Sequence, residues 1–306
     1  MDFDMNAAKK SLLENDISKA RPLEEMFSVK GKTAIVTGGT SGLGFNIAFR
    51  LLQGGANVVI ASNQADEGEF SLSILKEAGF SSDRLIFSHT DVCDENDILR
   101  LIELTDENFA SIDIFVNCAS VWSYAHVYDM PVDEFRRVTD INITGAFLCV
   151  KHISRYMIEK ETKGKITLIS SNCAWLPYPV FGGYPHYCAS KGAINALVVE
   201  TAKELKRFDI MVNGVAPGGM VTAGSSGNMC AKGLSEEKQD EFYDELMVWQ
   251  NDGPQSVDSV AIVAYAMSTA MSDGMTGEVV VADAGMSHNI VKYQVAIDQY
   301  PEELPN

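Results

Sequence analysis

Apolar runs separated by helix-length stretches recur along the chain and predict a regular alternation of strands and helices. The predicted strands cover residues 33–37, 57–61, 84–88, 112–116, 165–170, 209–214 and 278–282. These runs are mostly continuous in apolar residues rather than alternating, so both faces of each strand should be covered. The pattern therefore predicts an α/β fold with a single doubly wound parallel sheet and helices on both faces. In such a fold, ligands bind at the carboxyl ends of the strands.

The two ends of the chain fall outside this alternation. Residues 1–30 form an N-terminal extension with apolar side chains and a break at Pro22, enough for one short amphipathic helix. Such an extension is either a partly ordered arm or an arm that packs on a neighbouring subunit or over the functional site. We predict that residues 31–290 form the sheet domain and that residues 291–306 form a polar tail that frays.

The charge of the chain narrows the choice of partners. Its 306 residues contain 24 Lys and Arg against 42 Asp and Glu, which gives a formal net charge of −18. The apolar fraction of 46% is enough for a substantial core. An acidic protein is repelled by a phosphate backbone or an anionic membrane, so we expect neither nucleic acid nor a membrane as a partner.

The start of the chain and its cysteines indicate where the protein works. MDFDMNAAKK carries acidic residues where a secretory signal would be basic, and no later apolar segment reaches membrane-spanning length. The six cysteines are scattered, without a C-x-x-C pair or a short Cys/His cluster. We therefore predict a cytoplasmic protein with reduced thiols and no metal site.

A glycine-rich loop follows the first predicted strand and is the strongest sign of a bound cofactor. The glycines have the spacing G-x-x-x-G-x-G, between a strand and a helix that begins near Ser41. They allow a tight turn, a close approach to a pyrophosphate and tight packing of the helix on the sheet. The N-terminus of that helix would point its N–H groups at the phosphates. The predicted dinucleotide-binding residues of this loop are Gly38, Thr40, Ser41, Gly42, Leu43 and Gly44.

The end of the second predicted strand favours NAD(H) over NADP(H). Ser62 stands where NAD-binding proteins commonly have an aspartate, and Asn63 follows it. No Lys or Arg occurs in the glycine loop or within a few residues of Ser62, so nothing is evident to neutralise a 2′-phosphate. NAD(H) is the preferred cofactor and NADP(H) the alternative. After the third strand, Asp91 and Val92 are placed to contact adenine, although Asp91 could instead cap the next helix.

Ser171, Tyr187 and Lys191 form a candidate catalytic group. Tyr187 and Lys191 lie four residues apart in a strongly helical stretch and share one face of it. A nearby ammonium favours the phenolate, so we expect Lys191 to lower the pKa of Tyr187. Ser171, at the end of the fifth predicted strand, can donate to an oxygen that gains negative charge. Most pairs with this spacing lie on solvated helix faces, but here the neighbouring motifs at the strand ends favour a function.

The motifs occur in an order that resembles the short-chain dehydrogenase/reductase family over residues 31 to about 290. TGGTSGLG resembles the family's glycine loop, NCAS at 117–120 its N-N-A-G signature, and PGGMVT at 217–222 its P-G-x-[IV]-x-T stretch. VADAG resembles the family's last strand. Cys118 and Ser120 depart from the N-N-A-G signature. The resemblance implies a Rossmann fold and an alcohol dehydrogenase or ketoreductase that uses NAD(H) or NADP(H).

The resemblance also implies roles for individual residues. Tyr187 would exchange a proton with the substrate oxygen, and Ser171 would polarise and orient that oxygen. Lys191 would favour the ionised tyrosine and hold the nicotinamide ribose, while Asn142, in DINITGAF, would keep a water in a proton relay. Cofactor contacts beyond the glycine loop are expected from Ser62, Asn63, Asp91, Val92, Asn117, Ala119, Tyr187, Lys191, Pro217, Gly218, Met220 and Thr222. Members commonly form tetramers, so a homotetramer is expected.

One alternative to Tyr187 has to be considered. Tyr187 follows Ser171 by 16 residues, some three more than is usual in the family, which makes Tyr184 a rival by spacing. We prefer Tyr187 because a lysine follows it by four residues and because Pro185 would interrupt a helix after Tyr184.

Two segments rich in large apolar side chains indicate the substrate class. One contains Trp175, Leu176, Tyr178, Val180, Phe181 and Tyr184, and the other contains Met229, Leu234, Phe242, Tyr243, Met247 and Trp249. They would line an apolar pocket for an alcohol or ketone, or else pack a subunit interface. The chain also resembles bacterial hydroxysteroid dehydrogenases, including 20β-acting ones, which implies a steroid substrate. The alternatives are a sugar-alcohol dehydrogenase, a 3-oxoacyl reductase and a non-catalytic cofactor-sensing protein.

Overall fold

Seven parallel strands form one sheet in the computed structural model, which describes residues 4–176, 183–222 and 255–288. The strands are β1 (Thr33–Thr37), β2 (Asn57–Ser62), β3 (Leu85–His89), β4 (Ile114–Asn117), β5 (Lys165–Ile169), β6 (Met211–Pro217) and β7 (Val279–Ala282). Their order across the sheet is β3-β2-β1-β4-β5-β6-β7, and neighbouring strands pair in parallel. The predicted doubly wound parallel sheet is confirmed.

Helices cover both faces of the sheet, as the apolar strands require. The described α-helices are α1 (Met5–Ser11), α2 (Leu23–Met26), α3 (Gly42–Gln53), α4 (Ala65–Glu77), α5 (Glu95–Phe109), α6 (Val132–Thr139), α7 (Ala146–Glu159), α8 (Pro185–Leu205) and α9 (Val257–Met267). Ala34 and Val36 of β1 pack in one core cluster with α3 and α9, whereas Ile35 between them packs in a second cluster with α5, α7 and α8. Of these helices, none is both long and apolar enough to cross a membrane.

Several strands begin or end a few residues from their predicted limits. The predicted strand at 112–116 begins instead at Ile114, where pairing with β1 starts. Asp113 precedes the strand and bonds to β1 through both its backbone and its side chain: its amide donates to the Thr33 carbonyl at 2.9 Å, and its carboxylate accepts from the Thr33 amide at 2.9 Å and from Lys32 Nζ at 2.7 Å. β6 extends to Pro217 rather than ending at 214, because residues 214–217 pair with β7. The longer strand carries the chain to the carboxyl edge of the sheet.

The order of the strands fixes where the functional cleft lies. β1 lies between β2 and β4, so the strands that follow it in sequence extend the sheet first to one side and later to the other. At such a reversal the loops that leave the two central strands diverge and open a crevice at their carboxyl ends. The loops at 38–41 and 118–131 border this crevice.

The N-terminal extension is more interrupted than the single helix predicted for it. A π-helical turn at Leu12–Asp16 and a 3₁₀ turn at Ile17–Lys19 separate α1 from α2. α1 has no buried residue, and Leu12 and Leu13 are exposed. The apolar side chains of α1 and of the turn after it are therefore not part of the core of the sheet domain, whereas Val29, at the end of the extension, is buried in that core.

The end of the extension is tied to the sheet domain by polar contacts. Arg21 pairs with Asp273 at 2.5 Å, and the Tyr265 hydroxyl donates to the Phe27 carbonyl. Asp273 also pairs with Lys165, the first residue of β5. These contacts lie at the amino ends of the strands, so the alternative in which the extension covers the site is wrong for residues 21–27.

Truncation of one core side chain tests this packing. Leu51 of α3 is fully buried, so Leu51→Ala should lower the free energy of unfolding by about 2–5 kcal/mol. Leu99→Ala on α5 is the matched control, because Leu99 is 45% exposed and a surface substitution should cost about 0.5 kcal/mol or less. Denaturant unfolding followed by circular dichroism measures both values, and equal costs would contradict the described core.

Candidate active site

A cavity of about 320 Å³ opens at the carboxyl ends of β1 and β4. Its walls come from the loops that follow the strands and from the start of α8. The predicted site residues that line it are Gly38, Thr40, Ser41, Gly42, Leu43, Gly44, Ser62, Asn63, Asp91, Val92, Ala119, Ser171, Tyr187, Lys191, Pro217, Gly218, Met220 and Thr222. Motifs that are far apart in sequence therefore meet around one cavity.

The glycine loop is packed so closely that three of its glycines, Gly38, Gly39 and Gly44, have no room for a side chain. A Cβ atom on Gly44 would lie 2.1 Å from the carbonyl oxygen of Gly38. Gly38 has a φ of +64°, and a Cβ atom there would lie 2.8 Å from the amide nitrogen of Ala119. The loop thus joins β1, α3 and the loop after β4 through backbone contact, which only glycine permits.

The N-terminus of α3 is suited to bind an anion. Ser41 occupies its N-cap position without a side-chain hydrogen bond, and the first turn carries no acidic residue. The N–H groups of that turn and the positive end of the helix dipole lie at the cavity. Ser120 also lines the cavity, and its buried hydroxyl has no hydrogen-bond partner among the described residues. These features fit a dinucleotide whose pyrophosphate lies at α3.

The end of the cavity next to β2 and β3 carries carboxylates. Ser62 and Asn63 lie on its wall together with Glu67 of α4, which sequence reasoning did not identify. Asp91 lies there too, and its Oδ1 accepts a hydrogen bond from the Cys93 amide at 2.9 Å. The side chain that caps α5 is that of Asp94. The alternative in which Asp91 caps this helix is therefore wrong.

Ser171, Tyr187 and Lys191 lie together at the end of β5. Lys191 Nζ donates to the carbonyl oxygen of Ile169 at 2.9 Å and lies 5.5 Å from the centre of the Tyr187 ring. The hydroxyls of Ser171 and Tyr187 interact through a hydrogen bond. One donor position of the ammonium is used by Ile169, which leaves two others for partners in the cavity.

Burial controls how this group titrates. It raises the pKa of Tyr187, and the hydrogen bond with Ser171 opposes that shift only in part. Burial also lowers the pKa of Lys191 to about 8. The net shift of the Tyr187 pKa is therefore upward, opposite to the lowering predicted from the neighbouring Lys191. Removal of water from both groups outweighs the attraction between them.

Asn142 is committed to contacts within the protein. It lies in a π-helical turn at Asp140–Gly145 and is buried. Its Oδ1 accepts from the Val121 amide at 2.8 Å, and its Nδ2 donates to the Val121 carbonyl at 2.8 Å and to Ser190 Oγ at 3.0 Å. The side chain therefore positions the loop after β4 rather than lining the cavity, which differs from its predicted place in a water relay.

Asn117 also lies beneath the cavity and not on its wall. Its Oδ1 accepts a hydrogen bond from Thr37 Oγ1 at 3.1 Å, which links the ends of β4 and β1. The cavity wall is formed by the three residues that follow, Cys118, Ala119 and Ser120. Asn117 is thus a positioning residue for this loop, in contrast to its predicted contact with the cofactor.

An aromatic cluster next to the cavity contains the rival tyrosine. The Tyr184 ring lies 5.8 Å from the Trp122 ring and 5.6 Å from the Tyr124 ring, measured between centres. Trp122 lies on the cavity wall. Among the described residues of that wall Tyr187 is the only tyrosine, and Tyr184 is not one of them. The arrangement favours Tyr187 over Tyr184 as the group that meets a ligand.

Several residues of the cavity wall were not predicted as site residues. They are Ala61, Glu67, Thr90, Cys118, Ser120, Val121, Trp122, Ile141, Ile169 and Ser170. Most are sequence neighbours of predicted ones, and they reach the wall because the strand ends converge there. Glu67 is different, since it lies in the first turn of the next helix, α4. The available signal was an acidic residue in the first turn of the helix that follows Ser62.

The predicted apolar pocket is described only in part. Trp175 is 53% exposed and is not on the cavity wall. Tyr178, Val180 and Phe181 lie outside the described residues, as do the predicted pocket residues of the stretch after Thr222. The predicted pocket residues of that stretch are Met229, Leu234, Phe242, Tyr243, Met247 and Trp249.

Comparison with known proteins identifies the family. Residues 32–229 match the family described as short chain dehydrogenase. The chain is 30% identical over 280 residues to secoisolariciresinol dehydrogenase of Forsythia intermedia, covering 90% of this chain and 95% of that protein. It is 36% identical over 216 residues to (+)-borneol dehydrogenase 2 of Salvia officinalis, covering 69% and 73%.

A solved structure agrees with the sequence relatives. A short-chain type dehydrogenase/reductase from Mycobacterium marinum has a TM-score of 0.77 at 25% identity, covering 86% of this chain and 98% of that one. The fold, the cavity and the sequence matches point to the same family. The chain therefore belongs to the short-chain dehydrogenases, oxidoreductases of alcohol and ketone groups that use NAD(P)(H).

Proposed function

We propose that this protein is an NAD(H)-dependent dehydrogenase that interconverts a secondary alcohol and a ketone on an apolar ring system of the steroid class. The observation that carries the reaction is the convergence of Ser171, Tyr187 and Lys191 on one wall of the cavity that the glycine loop borders. A hydride donor held by the glycine loop and a proton donor at β5 would then meet over one substrate carbonyl.

The charges around the cavity support NAD(H) over NADP(H). Among the described residues of the cavity wall, Lys191 is the basic one, and it lies at the end formed by β5 and α8. The end formed by β2 and β3 carries Glu67 and Asp91 instead. A dianionic 2′-phosphate would find carboxylates there and no cation, and an uncompensated charge is costly to bind. NADP(H) is therefore the alternative cofactor.

The chain's own residues supply the proton chemistry. When bound, the reduced nicotinamide supplies the hydride that reaches the carbonyl carbon. The Tyr187 hydroxyl donates its proton to the carbonyl oxygen as negative charge develops there. Burial raises the pKa of Tyr187, so the hydroxyl keeps its proton near neutral pH, as a donor must. Ser171 donates a hydrogen bond to the same oxygen and stabilises its charge.

Lys191 compensates the charge that this transfer leaves behind. Once Tyr187 has given up its proton, a phenolate lies within a few ångströms of a buried ammonium. Opposite charges attract strongly where water is excluded, so the ion pair stabilises the product side of the proton transfer. With a pKa of about 8, Lys191 is mostly protonated at neutral pH. In alcohol oxidation the same steps run in reverse.

The substrate assignment rests on the aromatic cluster. Trp122 lines the cavity, its ring packs against that of Tyr184, and the Tyr184 ring packs in turn against that of Tyr124. A flat apolar ring system suits such a wall better than a sugar, which needs a denser set of hydrogen-bonding groups. The two plant relatives are named for secoisolariciresinol and borneol. The proposal of a steroid substrate therefore depends on the resemblance to hydroxysteroid dehydrogenases and not on these relatives.

The proposal extends to the assembly and the compartment. α7, α8 and the 3₁₀ turn after α8 expose apolar side chains that a neighbouring subunit would cover in a homotetramer, namely Phe147, Val199 and Phe208. The cysteines that the structure describes are free thiols, as expected in the reducing cytoplasm. Residues 31–290 would act as the catalytic domain, with the extension at 1–30 and the tail at 291–306 outside it.

A panel of ketones identifies the substrate class. Steroid, sugar and acyl-thioester carbonyls are assayed with NADH and with NADPH, and we expect the highest kcat/KM for a steroid with NADH. Trp122→Ala should raise KM for that substrate by about tenfold, because it removes a large aromatic contact. The affinity for NADH, measured by calorimetry, should stay unchanged. A sugar or thioester as the best substrate would contradict the assignment.

Removal of one hydroxyl tests the proton donor. Tyr187→Phe should lower kcat/KM by about 100-fold or more, because general acid catalysis contributes at least that factor, while NADH binding is retained. Tyr184→Phe is the matched control. Its phenyl ring keeps the packing against Trp122 and Tyr124, so most of the activity should remain. The opposite result for the two variants would transfer the role to Tyr184.

The buried lysine should make stability depend on pH. The pKa of Lys191 falls from 10.5 to about 8 on folding, so the unfolded chain holds a proton that the folded chain lacks between these values. Stability therefore rises with pH across this window, by about 3 kcal/mol in total. Lys191→Met lacks this contribution. The free energy of unfolding of the wild type minus that of Lys191→Met should therefore increase between pH 8 and 10, and a value that stays constant would contradict this expectation.

A further inference from the structure

Glu67 places a carboxylate at the end of the cavity formed by β2 and α4. It lines the cavity together with Ser62 and Asn63. The hydroxyl of Thr40, in the glycine loop, donates to Glu67 Oε2 at 3.3 Å. The carboxylate is therefore held between the glycine loop and the end of β2, the two segments that flank the adenosine ribose in a doubly wound sheet.

The backbone of Glu67 is fixed by contacts that do not involve its side chain. Ser71 is buried, and its Oγ lies 2.5 Å from the Thr40 carbonyl oxygen and 2.7 Å from the Glu67 carbonyl oxygen. A Cβ atom on Gly68 would lie 2.3 Å from the Phe87 ring, so α4 packs directly on β3. A change of the Glu67 side chain should therefore leave α4 in place.

The two helices that begin at this cavity differ in the charge of their first turns. The first turn of α3 has no acidic residue, whereas that of α4 contains Asp66 and Glu67. Both helix N-termini attract anions through their dipoles. At α4 the protein's own carboxylates oppose that attraction, and among the described residues of the cavity wall no lysine or arginine lies at this end.

We propose that Glu67 determines the cofactor preference by excluding the 2′-phosphate of NADP(H). It performs from α4 the function that an aspartate commonly performs at the position of Ser62. A carboxylate tolerates the neutral 2′-hydroxyl of NAD(H) as a hydrogen-bond donor, whereas it repels a phosphate dianion. This inference rests on the proposed dinucleotide-dependent function.

Direct binding measurements test the inference without catalysis. The full chain is titrated with NADH and with NADPH by calorimetry, and the ratio of the two Kd values is compared among variants. Glu67→Gln should shift that ratio toward NADPH by about tenfold, the effect of removing one partly solvated repulsion. Higher ionic strength should shrink the preference of the wild type for NADH, because salt screens the repulsion.

Matched variants separate the effect of the charge at Glu67 from the effect of a change in the net charge of the protein. Glu69→Gln makes the same chemical change on the same helix; Glu69 is exposed, as Glu67 is, but it is not on the cavity wall. It should change the ratio by less than about twofold, since exposed charges off the site are screened. Glu67→Lys should move the ratio further toward NADPH than Glu67→Gln. Adding Ser62→Asp to Glu67→Gln should restore the preference for NADH.

The outcomes distinguish the inference from the function on which it rests. If the wild type prefers NADH and Glu67→Gln leaves the ratio unchanged, with a thermal midpoint like that of the wild type, the inference is wrong and the dehydrogenase proposal stands. A wild type that prefers NADPH also overturns the inference. If neither nucleotide binds, the proposed function is overturned and the inference falls with it.

Discussion

The enzymatic interpretation of this molecule depends on one buried ammonium group. Lys191 is 4% exposed, and the Ile169 carbonyl is the one hydrogen-bond partner described for its ammonium. Burying a charge costs free energy unless partners compensate it, and the lowered pKa of about 8 expresses that cost. An apolar side chain would fill the same space without the penalty. The penalty has a use if a negative charge appears beside the ammonium, and the ring of Tyr187, 5.5 Å away, is where proton transfer would create one.

Hydrogen bonds on both sides of Tyr187 tie α8 to the loop after β4. Ser190 Oγ lies 2.7 Å from the carbonyl oxygen of Tyr187 and accepts from Asn142, which in turn holds the loop after β4. On the other side, His186 Nε2 lies 2.8 Å from Ser123 Oγ in the same loop. The loop that carries the cofactor signature and the aromatic wall is thus fastened to α8 before and after the tyrosine. Such buried contacts fix the backbone that carries the Tyr187 side chain, and proton transfer requires a donor held in place.

Sequence patterns predicted the sheet, the glycine loop and Tyr187 because each depends on local spacing: strand period, turn chemistry and a four-residue helical repeat. They did not predict the direction of side chains. Asn142 and Asn117 fall at the expected elements, yet protein partners occupy both, and no spacing rule identifies such partners. The direction of the pKa shift of Tyr187 was also missed, because desolvation depends on the packing of the whole cavity and not on its neighbour Lys191. Glu67 was missed because its contact with the glycine loop is tertiary.

The acidity of the chain explains why the glycine loop has to be so tightly built. A protein with a net charge of −18 gives an anionic cofactor no long-range attraction. The binding free energy must then come from donors at short range, and the backbone N–H groups of α3 provide them without adding a cation. Their use requires the helix to start directly at the strand end, which the missing side chain of Gly44 allows. The 2′-phosphate of NADP(H) would lie at the N-terminus of α4, where acidic side chains already counter the helix dipole. The proposed preference for NAD(H) then follows from the first turns of the two helices. That of α3 has no carboxylate and can bind the pyrophosphate, whereas that of α4 carries carboxylates that repel a 2′-phosphate.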